Sequence, residues 1–386
     1  MNGLLDDLDP DKQWEKKPAV KAEPKIDPLE SVLGLDAPTE AQMLAFYDDP
    51  ASRPKGETTH IEALDPIFKW VPGWVNVKTA FAGVGKGEFT RQELLLRAAL
   101  AGKKSLGWVP EDMPREAYYD ALIHSLTGQD PNPESLNPLS RARYVKAMEW
   151  VREHFYVVQP VKGQGKTPAH LLDIFEAARV KLNISHFAID PWHKLDHSEQ
   201  RAGGEVAYLN RELDRVTTWT QEAQVYLTVT RNPKRINRAP NEAWPVPDSD
   251  HLSGGEAWND FAGTITAYDR PNRHAKGGDP AFAIYTRKIK NHRRANAKPG
   301  SIGEGSENPD VLVEFDWKTG RYLFNGVAPL AHPTITKIYA PELVDASGSP
   351  VQPATPRPLP ASTFEDEAPR PVGFPTAATG FPKAPF

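Results

Sequence analysis

The apolar positions of this chain fall into short blocks separated by longer stretches with helical spacing. Trp74-Val75-Asn76-Val77-Lys78-Thr79 is a β-rich run. A glycine-rich turn follows it, and then a helical pattern over 88–101 that stops at Gly102, a residue suited to the left-handed turn that ends helices. The alternation continues with a strand at 105–109 and a helix near 115–126. Asn137-Pro138 reads as N-cap and first helical residue of a helix reaching about His154. Then come a strand at 155–158, a helix at 168–182, a buried strand at 186–190, a helix at about 204–222 and a strand at 225–230. This β-α-β-α rhythm predicts an α/β fold with a mostly parallel sheet covered on both faces. Strands near 264–268, 281–288 and 311–316 come without long helices between them. They predict an antiparallel edge ending in a hairpin turned by Lys318-Thr319-Gly320.

Composition changes the picture at the two ends. Proline makes up 38 of 386 residues, about twice the usual share of roughly 5%. Residues 1–56 mix acids, lysines and scattered prolines with little periodicity, which predicts a mostly disordered N-terminal arm. From Pro350 to Phe386, ten of 37 residues are proline, and no regular element propagates through that spacing. The expected organisation is therefore the arm 1–56, one compact domain over 57–340, and a Pro-rich disordered tail over 341–386. Charge sums to 46 − 51 = −5, so any nucleic-acid contact must come from a local basic patch. The absence of cysteine excludes a disulfide scaffold and thiolate metal sites. The acidic start Met1-Asn2-Gly3-Leu4-Leu5-Asp6-Asp7 is not a secretory signal. No apolar run approaches the ~18 residues of a membrane helix. A soluble, cytoplasmic protein is expected.

The candidate chemistry starts in the turn Ala80-Phe81-Ala82-Gly83-Val84-Gly85-Lys86-Gly87, set between a strand and a helix. Backbone N–H groups of such a turn cradle phosphate oxygens while a lysine reaches the terminal phosphates. The full pattern is G-x-x-x-x-G-K-[ST]. Here Ala80 replaces the first glycine and Gly87 the hydroxyl residue that meets Mg²⁺, so an ordinary glycine turn stays open as the alternative. A rival, Gly163-Gln164-Gly165-Lys166-Thr167, does carry lysine and threonine, but Thr167 and Pro168 also make a good N-cap and first helical residue. Order along the sheet favours the first turn. The next strand ends in Val109-Pro110-Glu111-Asp112, placing a carboxylate where a base can position water. The apolar run at 186–190 ends in Asp190, the Mg²⁺-side acid expected of a Walker B strand.

Several stretches in consistent order over about 66–325 resemble the RecA-type motor domain of superfamily-four replicative helicases, the DnaB and Twinkle type, and phage Twinkle-like proteins in particular. They are Pro72-Gly73-Trp74-Val75-Asn76-Val77, Gly83-Val84-Gly85-Lys86-Gly87-Glu88-Phe89, Pro110-Glu111-Asp112-Met113-Pro114 and Ile189-Asp190-Pro191-Trp192. Further on are Asn232-Pro233-Lys234, Leu252-Ser253-Gly254-Gly255-Glu256-Ala257-Trp258, Arg287-Lys288-Ile289-Lys290 and Asp316-Trp317-Lys318-Thr319-Gly320-Arg321-Tyr322. The resemblance implies a RecA-like P-loop NTPase core and an ATP-driven DNA helicase, translocating on single-stranded DNA as a ring, a hexamer in the family. It implies that Gly83, Val84, Gly85, Lys86, Gly87 and Glu88 hold ATP, that Glu111 activates water and that Asp190 holds Mg²⁺. Asn232 stands where the family has a histidine or glutamine sensing the γ-phosphate. Lys290 stands in the place of the arginine finger that enters the neighbouring subunit's site, with Arg293 or Arg294 as substitutes by a small shift. Lysine lacks the planar fork of arginine. The departures at Gly87, Asn232 and Lys290 bear on hydrolysis more than on binding. The alternative is a catalytically weakened RecA-fold protein that binds single-stranded DNA as a replication scaffold, or a recombinase-like filament former.

The loop Arg231-Asn232-Pro233-Lys234-Arg235-Ile236-Asn237-Arg238 would face the channel in that family. Its Lys234, Arg235 and Arg238 suit contacts to successive phosphates, the alternative being a solvated loop. The basic run 287–298 suits a subunit interface. His193 and His197 have helical metal-pair spacing, but Pro191 and the lack of a glutamate after His193 weaken that reading. The tail, with Glu365-Asp366-Glu367, two Gly-Phe-Pro segments and Phe386, resembles acidic, aromatic-ended tails that recruit a primase, polymerase or single-strand-binding protein. No primase or zinc module is read before the core, so a primase is expected as a separate chain. A phage-encoded chain would work in the host cytoplasm.

Overall fold

In the computed structural model the centre of the sheet is β1 (Val75–Thr79), buried at every position and flanked on both sides by parallel partners. The structure describes residues 38–49, 55–110, 114–159, 166–200, 204–234, 245–272, 279–299, 308–344 and 349. The chain divides into a unit over residues 1–54 and a unit over residues 55–386. In the first, the described element is α1 (Glu40–Asp48), opened by a capping box in which Thr39 and Gln42 bond each other's backbone N–H. This helix lies inside the arm expected to be mostly disordered. The remaining residues of that arm up to 37, and the Pro-rich tail from 350, lie outside the described residues.

The second unit holds nine strands in the order β3-β2-β4-β5-β1-β6-β7-β8-β9. β2 (Ser105–Trp108), β3 (Phe155–Val157), β4 (His186–Ile189), β5 (Tyr226–Arg231) and β6 (Thr264–Asp269) run parallel with β1. β7 (Ala281–Ile289), β8 (Val311–Asp316) and β9 (Arg321–Leu323) continue the sheet antiparallel. The mixed sheet with an antiparallel edge is therefore as the pattern predicts, with the β8–β9 hairpin turning at Gly320, φ +62°. Alternation along β1 feeds two cores. Val75 and Val77 pack with Phe187, Ile189, Leu227 and Val229 and with helices α5 (Pro168–Leu182), α6 (Glu205–Ala223) and α7 (Gly255–Phe261). The other face carries α2 (Lys86–Ala101), α3 (Arg115–Thr127) and α4 (Arg141–His154), through Phe89, Leu122, Leu126 and Val151. Helices on both faces are what a parallel sheet needs to keep its apolar strands from water.

Helix boundaries follow local chemistry. α2 ends at Gly102, φ +62°. α5 opens with Thr167 Oγ1 accepting from the His170 N–H at 3.3 Å and Pro168 in the first turn. The start of α4 differs from the expectation at Asn137-Pro138. There the Asn137 amide donates to Gly128 O at 2.9 Å, and Asp130 exchanges backbone bonds with Asn137 and Leu139. Asn137 is thus spent on the neighbouring loop, and the helix begins after Ser140.

Candidate functional site

β1 delivers the chain into the turn 80–85, and α2 begins at once with Lys86. Two positive φ values make the turn: +76° at Gly83 and +110° at Gly85. A Cβ at Gly83 would meet nothing within 4 Å, whereas at Gly85 it would stand 2.5 Å from Tyr322 Oη. Gly85 is therefore fixed by both its conformation and the close approach of Tyr322, whose hydroxyl donates to Gly85 O at 2.9 Å. Val84, 2% exposed, anchors the turn in the core. The result is a helix N-terminus with unpaired N–H groups opening into a cleft of about 280 Å³. Gly83, Val84, Gly85, Lys86, Gly87 and Glu88 all line it, as do Asp190 and Asn232 from the ends of β4 and β5.

Asp190 follows β4 at the C-terminal edge of the sheet, and its bond to Pro191 is cis. Its Oδ1 lies 3.4 Å from Lys86 Nζ and accepts a hydrogen bond from Thr230 Oγ1. Both partners of the Lys86–Asp190 pair keep some exposure, 12% and 23% of their side chains. Beneath them lies a sealed pair: Lys78 of β1 donates to Glu93 of α2, both almost fully buried. Burial pushes the Lys78 amine down from its ordinary pKa and the Glu93 carboxyl up, each opposed by the other's charge. Breaking that pair by removing one partner would leave a buried charge uncompensated, so it locks α2 onto β1 directly below the turn.

Beside the phosphate-type cleft, and sharing Gly83–Gly85 with it, is a second cavity of about 360 Å³. Phe282, Phe315, Trp317 and Tyr322 line it with Arg270 and His124. Phe315 meets Trp317 edge to face at 4.7 Å, and Arg270 lies 5.6 Å from the Trp317 ring. Gln92 of α2 holds this wall in place, donating to Gly320 O and accepting from the Tyr322 N–H, both at 3.0 Å. An apolar slot with a π surface and a cation suits a planar aromatic ring. Sequence reasoning missed it because its walls come from four separated stretches. The aromatic spacing at Phe315, Trp317 and Tyr322 was the available signal.

Other expected residues lie elsewhere. The Lys290 N–H donates to Gly263 O at 2.8 Å, and Gly263 donates to Val75 O at the start of β1. Lys290 and the exposed Arg293 thus sit at the N-terminal edge, about 15 Å along β1 from the turn. Arg294 is engaged there, donating to Pro72 O at 2.9 Å, with its guanidinium 5.8 Å from the Trp74 ring. Lys234 is exposed, with its N–H on His251 O at 2.8 Å. Glu111, Arg235 and Arg238, and Gly163 to Gly165 of the rival turn, lie outside the described residues. The Thr167 hydroxyl of that rival serves as a helix cap. Among the described residues no group of three or more acid or histidine side chains is placed to hold a metal by itself. His197 has Tyr208 Oη at 2.9 Å and Trp192 O at 3.0 Å on its two ring nitrogens. Trp192 is buried edge to face against Trp258 at 5.4 Å. No described helix is long and apolar enough to cross a membrane.

No protein-family model matches the chain. It is 22% identical over 288 residues to the Twinkle homologue of Arabidopsis thaliana chloroplasts and mitochondria, a match covering 74% of this chain and 39% of that protein. In structure it is similar to a solved helicase ATPase domain, with a TM-score of 0.57 at 11% identity, over 74% of this chain and 97% of that one. The fold is that of a RecA-like ATPase domain. The two likenesses support the resemblance to DnaB/Twinkle-like superfamily-four helicases.

Proposed function

We propose that this RecA-type chain is the motor of a DNA helicase that hydrolyses ATP with Mg²⁺ and moves along single-stranded DNA as a ring of copies. The observation that carries the reading is convergence. A glycine turn, its lysine and a strand-end aspartate from two strands away meet in one cleft, with an aromatic slot alongside. In this reading the N–H groups of 83–88 cradle the phosphates, Lys86 pairs with the terminal ones and the adenine ring lies among Phe282, Phe315 and Trp317. Asp190 is the side chain available to a Mg²⁺ carried by the nucleotide. Its Oδ2 fits that task, since Lys86 and Thr230 engage the other oxygen. Bound there, the ion would offset charge on the phosphates. Glu111 would take a proton from the attacking water, and Asn232 would sense the last phosphate.

Lys290 and Arg293 stand too far from their own chain's turn to serve it, so they would act on a neighbouring copy. Lys234, Arg235 and Arg238 would follow the DNA phosphates. Primase, polymerase or single-strand-binding protein would be recruited through the tail. The bare Cα of Gly87 is the observation favouring the second reading, a nucleotide-binding scaffold that turns over slowly or not at all.

An ATPase assay with and without single-stranded DNA separates the two. Stimulated turnover that Lys86→Ala lowers at least a hundredfold, and Lys166→Ala leaves unchanged, is the expected result. DNA binding without turnover in the unaltered chain would select the scaffold. Loss in Lys166→Ala alone would move the nucleotide site to the rival turn.

A further inference from the structure

Gly87 occupies the position where the phosphate-turn motif carries a hydroxyl beside the metal. Space for one exists. A Cβ on Gly87 would stand 3.8 Å from Arg91 Nη1 and 4.0 Å from Asp190 Oδ2, both ordinary contacts. The two oxygens of the facing carboxylate are in different situations. Oδ1 is engaged by Lys86 and by the Thr230 hydroxyl, and Oδ2 is the one beside the bare face of Gly87. A carboxylate turns easily about its last torsion, and Lys86 alone, a flexible point charge, would accept either oxygen. Thr230 removes that freedom. It is 1% exposed on the central strand β5, register partner of Lys78, and its hydroxyl donates to one defined oxygen. Thr228, one step back on the same face, spends its hydroxyl on His186 Nε2 at 3.0 Å. Thr230 is thus the one of the two whose hydroxyl reaches the cleft.

The geometry points to Thr230 as a positioning residue that stands in for the missing turn hydroxyl, holding Asp190 with Oδ2 presented to a divalent cation beside Gly87. The inference rests on the nucleotide reading above. Its chemistry is indirect: Thr230 binds no ligand, and it sets which carboxylate oxygen faces the ligand.

The test uses the full chain with Mn²⁺ as an EPR-visible probe and a non-hydrolysable ATP analogue, measuring Mn²⁺ affinity of the nucleotide complex and nucleotide affinity without metal. Thr230→Val is expected to weaken Mn²⁺ about tenfold while metal-free nucleotide affinity stays within about twofold. Thr230→Ser should keep the original Mn²⁺ affinity, and Gly87→Ser added to Thr230→Val should recover it. Unchanged Mn²⁺ affinity in Thr230→Val, an equal loss in Thr230→Ser, or a parallel loss of metal-free nucleotide binding would overturn the assignment. If the unaltered chain binds no nucleotide under either condition, the nucleotide reading itself fails and this inference with it.

Discussion

At the C-terminal ends of β1, β4 and β5 the ionisable side chains keep a route to solvent. Lys86 and Asp190 are partly exposed, pair at 3.4 Å and border an open cleft. At the N-terminal ends of the same strands, charge is walled in. The Arg97 guanidinium, 1% exposed, lies 4.2 Å from the Tyr226 ring and 4.9 Å from Trp70, and donates to Glu57 at 3.0 Å. His186 is fully buried beside Trp70, at 4.8 Å. The contrast separates charge available to a ligand from charge used as packing. A half-exposed pair can trade one partner for another at little cost, whereas a cation sealed between rings has no substitute for its contacts.

The largest effect expected is on stability, and at the N-terminal edge. Arg97→Ala should destabilise the fold by about 3 kcal/mol, through lost packing and lost ring contacts, while Lys86→Ala should stay within about 0.5 kcal/mol. Urea melts of the two variants check this, and equal losses would erase the distinction between the ends. Next comes the assignment of Lys290 and Arg293 to a neighbour's site. A Lys290→Ala, Arg293→Ala double variant and Lys86→Ala should each lose at least tenfold in turnover when alone. A one-to-one mixture should regain a measurable share, because some interfaces then pair an intact turn with an intact basic edge. No recovery on mixing would return both groups to one chain's own chemistry.

The smallest effect is on pH dependence. Burial, helped by Arg97, Lys78 and Lys103, holds the His186 imidazole well below its ordinary pKa of 6.5. The unfolded chain then binds a proton that the folded one refuses. Stability from this residue is intact above pH 6.5 and falls as pH drops below it, by up to about 1.4 kcal/mol per pH unit. His186→Gln should flatten that limb in melts from pH 7 to 5, and an unchanged slope would show another group titrating.

Most of the sheet was legible in the chain. Strong apolar runs such as 225–230 and caps such as Thr167 with Pro168 carry their own local signals, and the short connections of the last strands announced an antiparallel edge. The start of α4 was not, because Asn137 bonds across to Gly128 and Asp130, a competition that only the folded loop sets up. In the site, the turn and Asp190 could be read because each sits at the end of a strand. Thr230 and the Lys78–Glu93 pair could not. A threonine and a lysine inside apolar strands look like ordinary polar interruptions until the register brings Lys78 and Thr230 side by side beneath the turn. The aromatic slot needed the closure of β7, β8 and β9 against α2.

The most direct check is a titration of the purified chain with a fluorescent ATP analogue in the presence of Mg²⁺, alongside Lys86→Ala. Saturable binding, competed by ATP and at least thirtyfold weaker in the variant, is what the convergence of turn, lysine and aspartate demands. Equal binding by both proteins, or none by either, would contradict it.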